Sequence, residues 1–369
     1  MSRPLRILLT VDAVGGVWQY GCELARALAR TGHGVTLAAL GPAPSEAQRR
    51  MVAAIPDARL IETGLPLDWL AKDGAEIAAS GAALARLAGE VHADLVQINQ
   101  PALIAAAPFP VPVVAVLHSC TETWGLAMGG DGAPADFAWQ TALVAAGLAA
   151  ADAVVCPTRA FAATVQAAYD LPALPAVVHN GRTPLGPASG TLHDFAFTAG
   201  RLWDKGKGAD TLDRAAARLG VPFKAAGALV GPQGERIMPA HLHALGSVEE
   251  RVIAGCLAAR PVFASAARYE PFGLAVLEAA LAGCPLVLSD IPTFRELWDG
   301  AATFVAPDDA DGFARAIEAL VGDVPNRLVQ GDLARRRAAR YSPRRMGEGM
   351  AAIYRRLVTH TPAGRRVPA

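Results

Sequence analysis

Residues 269–283 read YEPFGLAVLEAALAG and place two carboxylates, Glu270 and Glu278, with seven residues between them. From Pro271 to Ser289 the only charged side chain is Glu278. An ionised carboxylate among apolar neighbours is costly unless it is paired or hydrogen-bonded, so this glutamate is expected to meet a ligand. Pro271 suits the first turn of a helix. Glu270 then lies in the loop before that helix, and Glu278 about two turns inside it. Helical side chains tilt toward the N-terminus, which aims Glu278 back toward Glu270. The first amides of the helix, at Gly273 and Leu274, point the same way. Carboxylates accept hydrogen bonds from vicinal hydroxyls, whereas amides and the helix dipole favour phosphate. One helix mouth thus offers groups for both a sugar and a phosphate. The plainer alternative makes Glu270 a dipole-favoured acid and Glu278 half of a surface ion pair; the apolar setting of Glu278 argues against the second half.

Cations suited to a phosphate occur in TAGRLWDKGKGADTL, residues 198–212. Arg201 offers a planar fork, and Lys205 and Lys207 point charges in a glycine loop. The stretch is not a nucleotide-binding P-loop: five residues separate Gly200 from Gly206, and Gly208 stands where a magnesium-binding Ser or Thr is required. Solvated loop cations are the alternative. A third candidate is DAVGGVWQYGCELARAL, residues 12–28, where Gly15 and Gly16 let the backbone approach an anion at a helix start; a simple strand-to-helix turn is the other reading. The dinucleotide fingerprint GxGxxG is absent, which argues against a nicotinamide enzyme. The one DxD, Asp309–Asp311 in PDDAD, follows an apolar run and precedes a helical pattern, so it reads as a turn and N-cap, not a metal site.

Short apolar runs separated by helical patterns must position these groups. They fall at Arg6–Val11, Val35–Leu40, Leu95–Asn99, Val111–His118, Ala153–Pro157 and Ala176–His179, and again at Phe195–Gly200, Phe223–Ala226, His241–Leu245, Pro261–Ala266, Pro285–Asp290 and Thr303–Pro307. Helical periodicity fills Tyr20–Arg30 and Ala75–Leu87. Runs of this kind predict parallel sheets covered on both faces. The stretch 183–194, TPLGPASGTLHD, reads as a linker. The expected layout is therefore a Rossmann-like domain over 1–182, the linker, a second Rossmann-like domain over 195–340, and a final helix and tail over 341–369. Each motif sits at the carboxyl end of a strand, where open α/β sheets bind ligands.

The 369 residues are long enough for two such domains, and 52% hydrophobic against 18% charged residues argues against disorder. Lys+Arg and Asp+Glu both number 34, so no basic excess points to nucleic acid. The five cysteines are scattered, with no ligand spacing, which fits a reducing compartment. The N-terminal stretch lacks a signal-peptide core, and Pro108, Pro110 and Pro112 break up the most apolar region, so a cytoplasmic location is expected.

RYEPFGLAVLEAALAGCPLVLSD at 268–290 resembles the signature of the retaining glycosyltransferases of family 4, which adopt the fold called GT-B. GRLWDKGKG resembles the companion motif GRLxxxKG, VVHNG at 177–181 the segment before the interdomain crossover, GGVWQYGCELARALARTGHGVTL the N-terminal acceptor and phosphate loop, and VVAVLHS at 113–119 a strand with a sugar-contacting histidine. The resemblance runs along essentially the whole chain in the right order. It implies α/β architecture, with two doubly wound Rossmann-like domains facing a cleft. It also implies a hexosyltransferase that takes a nucleoside-diphosphate sugar to an acceptor with retention, without a metal or other cofactor. Glu278 would bind the ribose and Glu270 the donor sugar, with the Gly273 and Leu274 amides nearby. Arg201 and a lysine would bind the diphosphate. The family spacing falls on Gly206, and a one-residue insertion favours Lys207 over Lys205. Gly16, beside Gly15, would touch the diphosphate, and His118 the sugar. The final helix would return to the first domain. Its arginines and those just before it would offer weak contact with an anionic membrane, although a solvated basic helix is the preferred reading because large apolar residues are few. Glycoside phosphorylases and sugar-nucleotide epimerases of this fold are the alternatives.

Overall fold

The structure is a computed structural model that describes residues 3–105, 107–186 and 191–360. Positions 187–190 of the expected linker and the tail at 361–369 lie outside the described residues. The chain divides into two compact units. One comprises the described residues up to Gly181 together with the last helix, and the other those of Arg182–Ser342.

In the first unit the strands are β1 (Arg6–Asp12), β2 (Gly34–Leu40), β3 (Ala58–Glu62), β4 (Leu95–Ile98), β5 (Val113–Val116), β6 (Ala153–Cys156) and β7 (Ala176–Val177). The helices that cover them are α1 (Gly16–Ala29), α2 (Glu46–Ala53), α3 (Gly74–Glu90), α4 (Thr121–Ala127), α5 (Ala138–Ala150) and α6 (Arg159–Ala168). In the second unit the strands are β8 (Ala196–Ala199), β9 (Phe223–Ala226), β10 (His243–Gly246), β11 (Val262–Ser265), β12 (Leu286–Ser289) and β13 (Thr303–Val305). Its helices are α7 (Ala209–Ala216), α8 (Glu250–Ala258), α9 (Leu274–Leu281), α10 (Pro292–Trp298), α11 (Ala310–Gly322) and α12 (Val324–Ala338). Helix α13 (Pro343–His360) follows and belongs to the first unit.

Both sheets are parallel, and both reverse their order beside the first strand. The first runs β3-β2-β1-β4-β5-β6-β7 and the second β10-β9-β8-β11-β12-β13. Leu8 of β1 lies in register with Thr36 on one side and Val96 on the other. Phe197 of β8 lies in register with Lys224 and Phe263. The reversals fall between β1 and β4 and between β8 and β11, the switch points at which such sheets leave a crevice beyond their strand ends.

Alternation along each strand feeds both faces. In the second sheet Phe197, Phe263, Leu286 and Leu288 pack under α9, α10 and α12, whereas Ala196, Ala225, Val262, Ala264 and Val287 pack under α7 and α11. In the first sheet Ile7, Leu9, Val11, Leu37 and Val114 share a core with Trp18, Leu24 and Leu28 of α1 and with Met346, Met350 and Tyr354 of α13. Helices α1 and α13 approach closely at Gly347, where an added Cβ would stand 2.7 Å from the Cβ of Ala27.

Every apolar run read from the sequence as a strand is one, with each end within two residues of the expected position. The strand missed is β3: ARLIE carries alternating, half-exposed positions at the sheet edge, so it lacks the continuous apolar run of its neighbours. A second correction concerns α9. It begins at Leu274, not at Pro271, because Gly273 takes a left-handed conformation with φ 87° that ends the preceding turn. Pro271 and Phe272 are instead buried in that turn, and Glu278 lies one helical turn inside, not two. Asp309 caps α11, its side chain accepting from the Gly312 N–H. Among the described residues no helix is long and apolar enough to cross a membrane. Several late arginines are paired within their own helices, Arg335 and Arg336 with Asp332 and Arg344 with Glu348.

Candidate functional site

In the second unit the loop after β8 and the segment after β11 are stitched together by backbone. The Gly206 carbonyl accepts from the Arg268 and Tyr269 amides at 2.9 and 3.1 Å. Asp204 accepts from the Gly206 amide at 2.9 Å, so the lysine loop closes around its own carboxylate. Gly208 ends this turn at φ 65°, and a Cβ there would stand 2.0 Å from the Ala266 carbonyl oxygen, so the two loops are in contact at a point where only glycine fits.

This stitching sets Lys207 against Glu270. Lys207 Nζ lies 2.7 Å from Glu270 Oε2, with both side chains mostly covered. Lys205, two residues earlier, is exposed. Arg201, at the end of β8, pairs with Asp204 at 3.0 Å and lies over the Trp203 ring. The Glu270 carbonyl accepts from the Thr293 hydroxyl at 2.7 Å, which anchors the glutamate's backbone to α10. Gly273 follows, buried, where an added Cβ would crowd Phe294 and the Glu270 side chain at 3.2 and 3.3 Å. Leu274 opens α9, and helix geometry directs its first amides out of the helix end.

Glu278 has a protein partner that the sequence reading did not name. Its Oε1 accepts from Arg182 Nε at 2.7 Å, and Arg182 Nη2 donates to Glu250 Oε2 at 2.6 Å. Arg182 is almost fully buried, Glu278 mostly so, and Glu250 half exposed. One signal was present: a buried carboxylate calls for a cation, and Arg182 is the only Lys or Arg between Arg159 and Arg201. Glu278 also borders a small, partly open hollow whose other described lining residues are Leu185, Gly186, Ala254, Leu257, Ala258 and Ala282.

In the first unit the glycine loop is organised by a residue the sequence reading passed over. Asp12, at the end of β1, accepts from the Val14 and Gly15 amides at 3.0 Å each. Gly15 caps α1 in an extended conformation, so the turn needs no left-handed glycine. A Cβ at Gly15 would meet only Asp12 Oδ1, at 3.8 Å. Gly16 is exposed at the first position of α1.

His118 follows β5 and is partly buried. Its Nε2 lies 3.2 Å from Asn99 Oδ1, an oxygen that also accepts from Gln97 Nε2 at 3.0 Å. The Asn99 amide nitrogen donates to the Thr10 carbonyl, which fixes Oδ1 as the acceptor and puts the imidazole proton on Nε2. The Tyr20 ring packs edge-on against the imidazole, with centroids 4.4 Å apart. Burial lowers the His118 pKa to about 4, so the ring is neutral at pH 7. Asp68 is buried in the same unit. Burial, opposed by the Trp69 amide and Gln140 and reinforced by the charge of Asp12, raises its pKa to about 6.

The two Rossmann-like units and these strand-end groups define a GT-B glycosyltransferase architecture. The description "Glycosyltransferase Family 4" matches residues 14–184, and "Glycosyl transferases group 1" matches residues 194–323. The chain belongs to this glycosyltransferase family. It is similar to a phosphatidyl-myo-inositol mannosyltransferase of Mycolicibacterium smegmatis, 38% identical over 98 residues; that match spans 26% of this chain and 25% of the relative's length. Among solved structures, a sucrose-phosphate synthase from Thermosynechococcus elongatus superposes with a TM-score of 0.75 at 20% identity, over 97% of this chain and all of that one. Anabaena HepE, solved in complex with UDP-glucose, superposes with a TM-score of 0.74 at 19% identity, over 96% of this chain and all of that one.

Proposed function

We propose that the protein transfers a hexose from a nucleoside-diphosphate sugar to an acceptor hydroxyl, with retention of anomeric configuration. The observation that carries this reading is the Lys207–Glu270 pair, with Nζ and Oε2 2.7 Å apart at the entrance to α9. A carboxylate that accepts from sugar hydroxyls is held there by a cation suited to phosphate. An ammonium has three donors, so Lys207 can keep Glu270 in place and still donate to a phosphate oxygen. Loss of the nucleoside diphosphate develops negative charge on the leaving oxygen. Lys207, Arg201 and the first amides of α9 are preorganised to stabilise it, and we assign them that role without a metal ion. Glu270 then positions the donor sugar, and Glu278 accepts from the ribose. For Gly15, Gly16 and His118 we keep the roles that the family resemblance implies, and Lys205 becomes the secondary choice for the diphosphate.

The donor class is supported by family membership and by the UDP-glucose complex of the HepE neighbour. The mannosyltransferase relative favours a hexose. The scattered cysteines support a cytoplasmic enzyme.

The test is turnover of a panel of UDP-, GDP- and ADP-hexoses with the product followed by NMR. Expected is a product whose anomeric configuration matches that of the donor, with activity unchanged by EDTA. An inverted product, or activity that requires inorganic phosphate in place of a nucleotide sugar, would overturn the reading. Glu270→Ala is expected to lower turnover about a hundredfold or more through lost orientation of the anomeric carbon. Binding of the bare nucleoside diphosphate should remain nearly unchanged.

A further inference from the structure

Among the described residues lining the small hollow beside α8 and α9, the Glu278 carboxylate is the one charged group. A ligand that contacts this carboxylate removes water from it, which is unfavourable unless a cation stays beside it. Arg182 supplies that cation from the protein side. Its guanidinium is planar, and it donates Nε to Glu278 at 2.7 Å on α9 and Nη2 to Glu250 at 2.6 Å on α8. The carboxylate is therefore anchored at Oε1 to a cation that is itself tethered to α8. Glu250, half exposed and at the N-terminal end of α8, retains Arg182 when Glu278 shares its charge with a ligand.

We propose that Arg182 is the positioning residue for the ribose, holding Glu278 ionised and oriented so that the nucleotide site discriminates ribonucleotides from 2′-deoxyribonucleotides. This rests on the assignment of Glu278 to the ribose. The substrate class it implies is a ribonucleoside-diphosphate sugar recognised through its vicinal diol. Arg182 touches no reacting atom in this scheme and acts only through Glu278.

The experiment uses the full-length protein and calorimetric titration with UDP, GDP and ADP and the 2′-deoxy form of each. The readout is the ratio of the 2′-deoxy to the ribo dissociation constant. For the nucleotide that the wild type binds, a ratio of about ten or more is expected, the usual worth of one hydrogen bond to a charged group. Arg182→Gln is expected to weaken ribonucleotide binding about tenfold and to bring the ratio to within about threefold of unity. Arg182→Lys, which keeps the charge but not the fork, is expected to fall between the two. The Arg182→Gln, Glu278→Gln double variant removes both charges, so it keeps the test open where Arg182→Gln alone fails to fold, and it should bind no worse than Glu278→Gln alone. A structural ion pair would lower the melting temperature and leave the ratio untouched. An Arg182→Gln or Arg182→Lys variant with the wild-type ratio overturns the proposal while leaving the ribose assignment standing. A wild-type ratio near one, with Glu278→Gln binding like wild type, removes the ribose assignment and this proposal together.

Discussion

At the scale of single residues, burial sets the protonation of Asp68 and His118 more than neighbouring charge does. Asp68 is a carboxyl whose folded-state pKa, about 6, lies above its ordinary value of 3.8, with burial as the first cause. Between these two values the folded state binds more protons than the unfolded one, so stability falls as pH rises through this window and stays lower above it. Two pK units correspond to about 3 kcal/mol at most. Asp68→Asn is therefore expected to stabilise the protein by about 1–3 kcal/mol at pH 8 and by little at pH 4, read from urea unfolding at both values. A variant equally or less stable at pH 8 would show that the charge of Asp68 is accommodated. His118 shifts the other way, down to about 4. Its folded state binds fewer protons than the unfolded one between pH 6.5 and 4, so its contribution to stability is lost as pH falls through that window. Above pH 5 the ring stays neutral with its proton on Nε2. Turnover between pH 5.5 and 8 should accordingly carry no inflection that disappears in His118→Asn; such an inflection would mean that the imidazole titrates during turnover.

At the scale of elements, the entrance to α9 shows what the sequence displays and what it conceals. The spacing of Glu270 and Glu278 placed both on one strand–loop–helix unit, and the continuous apolar runs marked β8, β11 and β12 without error of type. The helix start was misplaced because Pro271 satisfies a first-turn preference that Gly273 overrides through its left-handed backbone. Edge strand β3 was hidden because only a two-sided burial leaves a continuous apolar run, and its pattern is half exposed. Arg182 was hidden by distance: 96 positions separate it from Glu278, and no local periodicity reports a pairing across that span. The choice between Lys205 and Lys207 likewise depends on which turn closes around Asp204, which is a matter of hydrogen bonds, not spacing. Gly273→Ala tests the entrance directly. A left-handed alanine costs about 1–2 kcal/mol, and its Cβ would crowd the Glu270 side chain and Phe294. The expected outcome is a loss of about 1–2 kcal/mol in stability and a fall in turnover larger than the fall in nucleoside-diphosphate affinity, because Glu270 is displaced while the Arg182–Glu278 pair one turn away is not. Equal losses in both would place Gly273 in nucleotide binding.

At the scale of the whole molecule, the division of the chain into two units, each with cores of its own, has a thermodynamic signature. Trp18, Leu24 and the α13 residues Met346, Met350 and Tyr354 share one core, whereas Phe197, Phe263, Leu277 and Trp298 share another. Helix α13 follows the second unit in sequence but belongs to the first. Scanning calorimetry is thus expected to resolve two transitions that respond to different perturbations. The charged groups assigned to the nucleotide, Arg201, Lys207, Glu270 and Glu278, all lie in Arg182–Ser342, and only the glycine loop at Gly15 and Gly16 is assigned to it from the first unit. A nucleoside diphosphate at about 100 times its Kd stabilises the state that binds it by about 2.7 kcal/mol, which raises the transition of a unit this size by roughly 5–10 °C. The other transition, whose unit offers the nucleotide only the Gly15–Gly16 loop, should move much less with ligand. Met350→Ala, at a fully buried position of α13, should do the reverse: a loss of about 2–5 kcal/mol that lowers the less ligand-sensitive transition and leaves the ligand-induced shift of the other intact. A single transition that moves as a whole under both perturbations would show instead that the two cores unfold together.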